Sequence, residues 1–293
     1  MSRTTPPRPI DITVVFPQLA PLARRATRLH PRPGSPTPHD SSVGGPLLWP
    51  VDEPWPHCDE WHGGPGPVAM LPVAQLYVRD IPVLRPPGHA DLLQVLWCPF
   101  DHESDNMPLT VVFWRSAAEV SDILDAPPAP YAVDDDGYVP VPCLLTPEQI
   151  TEFPNPMELS KELQHRLADA STWQESGVDN PYVRAPEELY ENELSVAPGW
   201  KAGGWSRWGL TDPVPRSCAA CGTEMEPLLT IASSEWKSNT RSWIPYEDQA
   251  GSTPTPDNCQ PWNPTGLDLA RGYDQQLHVC PASPDHPHIS LVQ

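Results

Sequence analysis

The chain has 293 residues, with 18 basic against 38 acidic side chains and a formal charge of −20. That balance excludes a general nucleic-acid binder, which needs clustered cations to displace counterions, and disfavours attachment to an anionic membrane surface. Proline, at 43 residues, excludes long uninterrupted helices, yet 12 Trp, 7 Tyr and 4 Phe are too many for a disordered chain.

Residues 1–40 form an Arg/Pro-rich arm. Arg3, Arg8, Arg24, Arg25, Arg28 and Arg32 stand there against Asp11 and Asp40, which leaves 12 basic and 36 acidic residues in the remainder. Such an arm either contacts an anion or a partner, or folds on its own acidic body, or stays loose. Arginines scattered among prolines make no defined face, which favours the blander readings. Met1–Ile10 lacks the apolar middle of a secretory signal, and no run approaches the ~20 apolar residues that cross a bilayer, so a cytoplasmic protein is expected.

Residues 41–115 read as a β-rich unit, with strands predicted at Val68–Val78, Leu92–Cys98 and Thr110–Trp114. A short helix is expected over Trp114–Asp125. The connecting insert, 116–198, holds the clearest helical pattern. Asn155 can cap, Pro156 suits the first turn, Glu158 completes a capping box, and Leu159, Leu163 and Leu167 follow at spacing four. This predicts a helix near 156–170. Asp134-Asp-Asp-Gly137 lacks the alternating ligands and distal Glu of a calcium loop and reads as an acidic turn. Residues 199–293 form a second β-rich unit, with strands at Leu228–Ala232 and Gln276–Cys280 and a Ser/Thr/Asn/Pro-rich loop over 237–264.

The two β-rich units repeat one another. Gly44-Gly45 precedes Trp49 as Gly203-Gly204 precedes Trp208. Asp52–Cys58 faces Thr211–Cys218, Met70–Leu76 faces Met225–Ile231, and Gln94–Pro99 faces Gln276–Pro281. Four blocks in one order indicate duplication. The expected fold is α+β and β-rich, with two small sheet units packed together and a helical insert between them.

The repeat also aligns metal-ligand chemistry. Cys218-Ala-Ala-Cys221-Gly222 is a knuckle-like pair, because two thiolates three apart on a tight turn reach one Zn²⁺. Cys280 follows on a strand end, with His286 or His288 just beyond, and the Cys280-x5-His286 spacing has the reach of a ligand pair. The first half offers Cys58-x3-His62 and Cys98-x3-His102 at the matching places, although Cys-x3-His is a weaker signal. Each set supplies four ligands, which leaves no open position and points to structural zinc. The bland alternative is that the Cys are small buried hydrophobes and the His are surface residues. A redox Cys-x2-Cys is disfavoured, because Pro213, Pro215 and Gly222 replace a helix start and Glu224 and Glu226 should raise the thiol pKa. Cys143 and Cys259 have no place in the scheme.

These residues carry a resemblance. Ser42-Val-Gly-Gly-Pro-Leu-Leu-Trp49-Pro50, Pro72-Val-Ala-Gln75-Leu76 and the Gly203–Ile231 block resemble the YwqG-like family of uncharacterised bacterial proteins, over roughly 40–293. The paired Gly-Gly-x3-Trp, Cys-x2-Cys, Met and Leu-Leu pattern is similar, more distantly, to the programmed cell death protein two family, from which His62 departs by replacing a Cys. The first resemblance implies a duplicated α+β fold without an established activity. The second implies a protein-binding, chaperone-like role.

No nucleophile elbow, zinc-protease, phosphate-loop or dinucleotide motif is present. Neither catalytic nor cofactor-binding residues are assigned beyond zinc. The expected function is a non-catalytic protein-binding module, chaperone-like or immunity-type, whose partner is a protein, a basic one in view of the acidic charge. The alternative is a hydrolase-type enzyme with a cleft between the repeats, using His30, His39 or His165.

Overall fold

A computed structural model of the chain describes residues 3–102, 107–175, 186–249 and 260–293. Among them the strands are β1 (Arg24–Arg28), β2 (Arg32–Pro33), β3 (Ser42–Val43), β4 (His57–Cys58), β5 (Val68–Ala69), β6 (Leu71–Tyr77), β7 (Leu92–His102), β8 (Met107–Arg115), β9 (Cys143–Leu144), β10 (Glu148–Glu152), β11 (Lys201–Gly203), β12 (Glu226–Ala232), β13 (Asp274–Val279) and β14 (Ile289–Val292). They form a six-stranded sheet in the order β10-β1-β11-β12-β13-β14, a second in the order β2-β9-β3-β6-β7-β8, and the small pair β4-β5. The protein is therefore a β-rich α+β fold of two antiparallel sheets with small helices. No helix among the described residues is long and apolar enough to cross a membrane.

The duplication is written in the ladder registers. In the first copy β6 pairs with β7 as Pro72↔Leu96 and then Ala74↔Val95, so Val73 is bulged out. In the second, β12 pairs with β13 as Pro227↔His278 and then Leu229↔Leu277, so Leu228 is bulged out. The bulge falls one residue after the same proline in both. Proline cannot donate to a ladder, and a bulge is one of the few interior places that tolerates it. The strands β3 and β11 meet the bulged strand at matching places, as Val43↔Ala74 and Ala202↔Leu229.

A two-chain ribbon ties the sheets together. Residues 24–33 run antiparallel to 143–152 in one unbroken register, Arg24↔Glu152 through Arg28↔Glu148 in one sheet and Arg32↔Leu144 and Pro33↔Cys143 in the other. Each segment crosses from sheet to sheet, and each gives its first part to the other copy. Thr27 lies beside Ala202, and Cys143 lies beside Val43. Leu29-His30-Pro31 and Leu145-Thr146-Pro147 are thus equivalent, a fifth repeat block that sits at the crossing.

Both Gly-Gly pairs lie where a side chain would collide, the second of them against this ribbon. A Cβ on Gly45 would come within 2.6 Å of Pro36 Cγ, and one on Gly204 within 2.1 Å of Glu152 Oε2. Glu152 is fully buried and is met by Lys201 Nζ at 2.7 Å to both oxygens, by the Ala197 N–H at 2.9 Å and by the Trp205 N–H at 2.8 Å. Burial draws the Lys201 amine down, and Glu152 pushes it back up.

One core joins the sheets, with Val73, Leu76, Leu93 and Trp97 from one and Ala202, Leu229, Ile231 and Leu277 from the other. A second core lies under the short helices. There Ile12, Phe16 and Leu19 of the arm pack with Leu159, Leu167, Trp173 and Tyr190 of the insert. The helix expected near 156–170 is split. Asn155 caps only a 3₁₀ turn, Pro156–Glu158, the chain extends at Leu159, and the α-helix proper is Lys161–Ala168 with the Ser160 hydroxyl accepting from the Leu163 N–H. Glu158 does not close a capping box but pairs with Arg216 at 2.9 Å. Over Trp114–Asp125 only Ala117–Glu119 is helical, as a 3₁₀ turn, because β8 extends to Arg115. Asp134–Gly137 is a turn, in which the Asp135 carboxylate accepts from the Gly137 N–H.

Candidate metal centres

Each copy builds its centre from a short hairpin and a strand end. In the first, β4 pairs with β5 as His57↔Ala69, and the Met70 N–H donates to the Pro56 carbonyl at 3.0 Å. In the second, the bridge Ser217↔Glu224 and the bond from the Met225 N–H to the Arg216 carbonyl at 2.7 Å repeat this arrangement. The hairpin tips differ. Cys221 lies on a tight turn where the Gly222 N–H donates to the Cys218 carbonyl and Gly222 takes φ +72, a conformation that favours glycine. His62 lies on a longer loop.

The strand end brings the second pair. Cys98 follows Trp97 where the β7–β8 register shifts, and pairing resumes at Asp101 and His102. Cys280 follows Val279 at the end of β13, and the chain then turns to deliver His286. His288 goes elsewhere, its Nε2 lying 2.9 Å from Thr110 Oγ1.

The result is two four-membered clusters, Cys58, His62, Cys98 and His102, and Cys218, Cys221, Cys280 and His286, each with its donor atoms all within 4.8 Å of one another. Cys58 Sγ lies 3.5 Å from His62 Nε2 and 3.9 Å from His102 Nε2, and Cys98 Sγ lies 3.5 Å from His62 Nε2. In the second cluster His286 Nδ1 is 3.4 Å from Cys218 Sγ and 3.3 Å from Cys280 Sγ, and Cys221 Sγ is 3.5 Å from Cys280 Sγ. Ligand atoms at tetrahedral zinc, ~2.3 Å from the ion for sulfur and ~2.0–2.1 Å for nitrogen, are separated by about 3.4–3.8 Å. The observed separations follow those edges. They far exceed a sulfur–sulfur bond of ~2.05 Å, so the thiols are free. Both clusters can hold a metal ion such as zinc.

Their surroundings differ. The first is sealed by Trp49, Trp55, Val68, Met70 and Leu96, and His62 stacks on Phe100 with centroids 4.5 Å apart. His102 Nδ1 lies 2.9 Å from Glu60 Oε2, an outer carboxylate that orients the ring and was not legible as a partner before folding. Burial, and then the neighbouring Cys58, push the Cys98 thiol up to about 12. In the second, Cys218 and Cys280 pack with Met225 and Ile289, while Cys221 is exposed. Instead of being raised by Glu224 and Glu226, the Cys221 thiol is brought down to about 6 by the Thr223 hydroxyl, 3.2 Å away, and the Thr223 backbone N–H. No helix begins at this pair.

Cys143 is buried, with its Sγ 3.4 Å from the Pro264 carbonyl, and Cys259 lies outside the described residues. The three histidines weighed for catalysis are dispersed. His30 is fully buried between Glu148, 3.1 Å from its Nε2, and Glu235, 3.7 Å from its Nδ1, whereas His39 and His165 are exposed.

In comparison with known proteins, no family model matches the sequence, and no curated protein matches it.

Proposed function

We propose that the protein is a YwqG-like, non-catalytic protein-binding module, chaperone-like or immunity-type, in which each copy of a duplicated β unit is held by one structural zinc ion. The observation that carries this reading is the recurrence of a four-ligand donor set at the same place in both copies. Natural duplicates drift at positions without a shared role. Here three ligands are like-for-like, and the fourth exchanges Cys for His, both zinc ligands. Four protein ligands leave no position for water or substrate, so the ions would stabilise rather than catalyse.

The partner in this reading is a basic protein. Four of the arm's six arginines are engaged or buried within the molecule, while Arg24 and Arg25 are exposed. Arg3 and Arg32 pair with Asp248, Arg8 donates to the Glu193 and Ser242 carbonyls, and Arg28 is fully buried. The acidic excess is therefore left facing outward, where it steers cations by long-range field. Zinc content of the purified protein, measured with Cys218→Ser, Cys280→Ser and Cys98→Ser, tests the metal. Content unchanged in all three variants sinks that assignment. Retention on a column carrying a defined cationic protein such as lysozyme, lost at raised salt, tests the charge argument, and flow-through at low salt counts against it.

A further inference from the structure

We propose that the cavity lined by Trp236, Lys237, Arg241, Trp262, Asp268 and Arg271, between β12 and β13, is a binding site for an organic anion built on a planar ring, of the size of a nucleoside monophosphate. This goes beyond the zinc reading and shares no residue with it.

The two copies serve as each other's control. In the first, β6 is joined to β7 by the short run from Tyr77 to Leu92. In the second, the run from Ala232 to Asp274 is much longer, and its described residues line an open cavity of about 890 Å³. That volume lies in the ~300–1,000 Å³ range of small-molecule sites. The duplicated frame stands in the first copy without this segment, so bare folding does not account for it.

The chemistry of the lining is unlike the rest of the molecule. Three cations, Lys237, Arg241 and Arg271, face one acid, Asp268, in a chain with twice as many acidic as basic residues. Among the described residues, Arg241 and Arg271 form no ion pair, so their charge is available to a ligand. Trp236 and Trp262 supply indole faces, and Trp262 is 45 % exposed although the Glu235 N–H holds its carbonyl at 2.7 Å. The three cations disfavour a cationic ligand and suit an anion, with guanidinium on the anionic group and a planar ring stacked on indole.

The backbone is set for this purpose. Leu269 to Tyr273 is a tight hairpin turn in which Ala270 takes φ +47 and Arg271 φ +67. Asn-Gly is the pair such a turn favours, and side chains with a Cβ resist it. The Ser233 hydroxyl pins the turn by accepting from the Leu269 N–H at 2.8 Å and donating to the Tyr273 carbonyl at 2.5 Å. An arginine held in an unfavourable conformation at the edge of a cavity marks a position kept for its side chain.

Calorimetric titration of the full chain with AMP, adenosine and inorganic phosphate tests the site. AMP should saturate at one equivalent and bind about tenfold or more tighter than either fragment. Arg241→Gln with Arg271→Gln should weaken AMP by about tenfold or more at unchanged zinc content and circular dichroism. Ala270→Asn with Arg271→Gly should raise Tm while weakening AMP, since it relieves the turn and removes the guanidinium. Failure of AMP to saturate in the millimolar range overturns the proposal, as does phosphate binding as tightly as AMP or AMP affinity unchanged in the arginine variants.

Discussion

Cys98 and Cys280 hold the same place in two copies of one strand, each directly after the residue that closes the ladder with a bulged partner strand, Trp97 opposite Leu71 and Val279 opposite Glu226. Each meets a hairpin cysteine, Cys58 or Cys218, in its own cluster. The centres are therefore independent in their ligands. Cys98→Ser is expected to remove one equivalent of zinc and Cys280→Ser the other, with the double variant metal-free, as read by elemental analysis. Loss of both ions from either single variant would show that the two copies do not bind separately. Chelation of both ions should lower Tm steeply, because metal binding on the order of 10 kcal/mol couples to folding.

Lys201 and Glu152 form a buried pair in which every carboxylate oxygen is engaged. Removing one partner of such a pair costs about 3–5 kcal/mol, since the other charge is left alone. Lys201→Met should fall in that range in urea unfolding. Glu152→Gln with Lys201→Met should recover much of the loss, and equal destabilisation of the single and double variants would contradict the pairing.

Gly204→Ala should destabilise more than Gly45→Ala. Both place a methyl against a close neighbour, Pro36 for Gly45 and Glu152 of the ribbon for Gly204, but Gly204 also has φ +76 and its neighbour is the buried carboxylate. Gly209→Ala, where a Cβ touches nothing, is the matched control. The expected order in Tm is control, then Gly45, then Gly204, with the last destabilised by about 2 kcal/mol or more.

Asp274 is buried, and burial raises its carboxyl to about 6, although it accepts from the Ser233 N–H at 3.2 Å. Unfolded, it titrates near 3.8. Between these values the folded protein keeps a proton that the unfolded chain has lost. Its contribution therefore falls as pH rises from about 4 to 6, by at most about 3 kcal/mol. Asp274→Asn should lose this slope, and the difference between wild type and variant across that window isolates it from acid release of zinc. A difference that does not change with pH would rule out the raised carboxyl.

The members of the two Cys/His clusters, the duplication and most central strands were legible from the chain alone, because they depend on local chemistry. A Cys-x2-Cys turn, a proline before a bulge and an alternating strand carry their signal within a few residues, and the repeat doubled that signal. The edge strand β2 and its neighbour β9 were not legible. Arg32-Pro33 and Cys143-Leu144 have no strand pattern of their own and are extended because they pair with each other and, for β9, with β3 as well. The split at Leu159 was hidden for a similar reason: the leucine spacing suits one helix, but Glu158 turns to Arg216, far along the chain.

Sequence by itself determined that there are two equivalent β units with two equivalent sets of thiol and imidazole groups, since spacing and repetition are properties of a string. Tertiary structure alone decided that each unit borrows a strand from the other, that His286 rather than His288 completes its cluster, and that three cations and two indoles surround one cavity. Those outcomes depend on hydrogen bonds and contacts between residues separated by up to a hundred or more positions, and no local pattern encodes which distant partner a backbone amide or a ring nitrogen will meet.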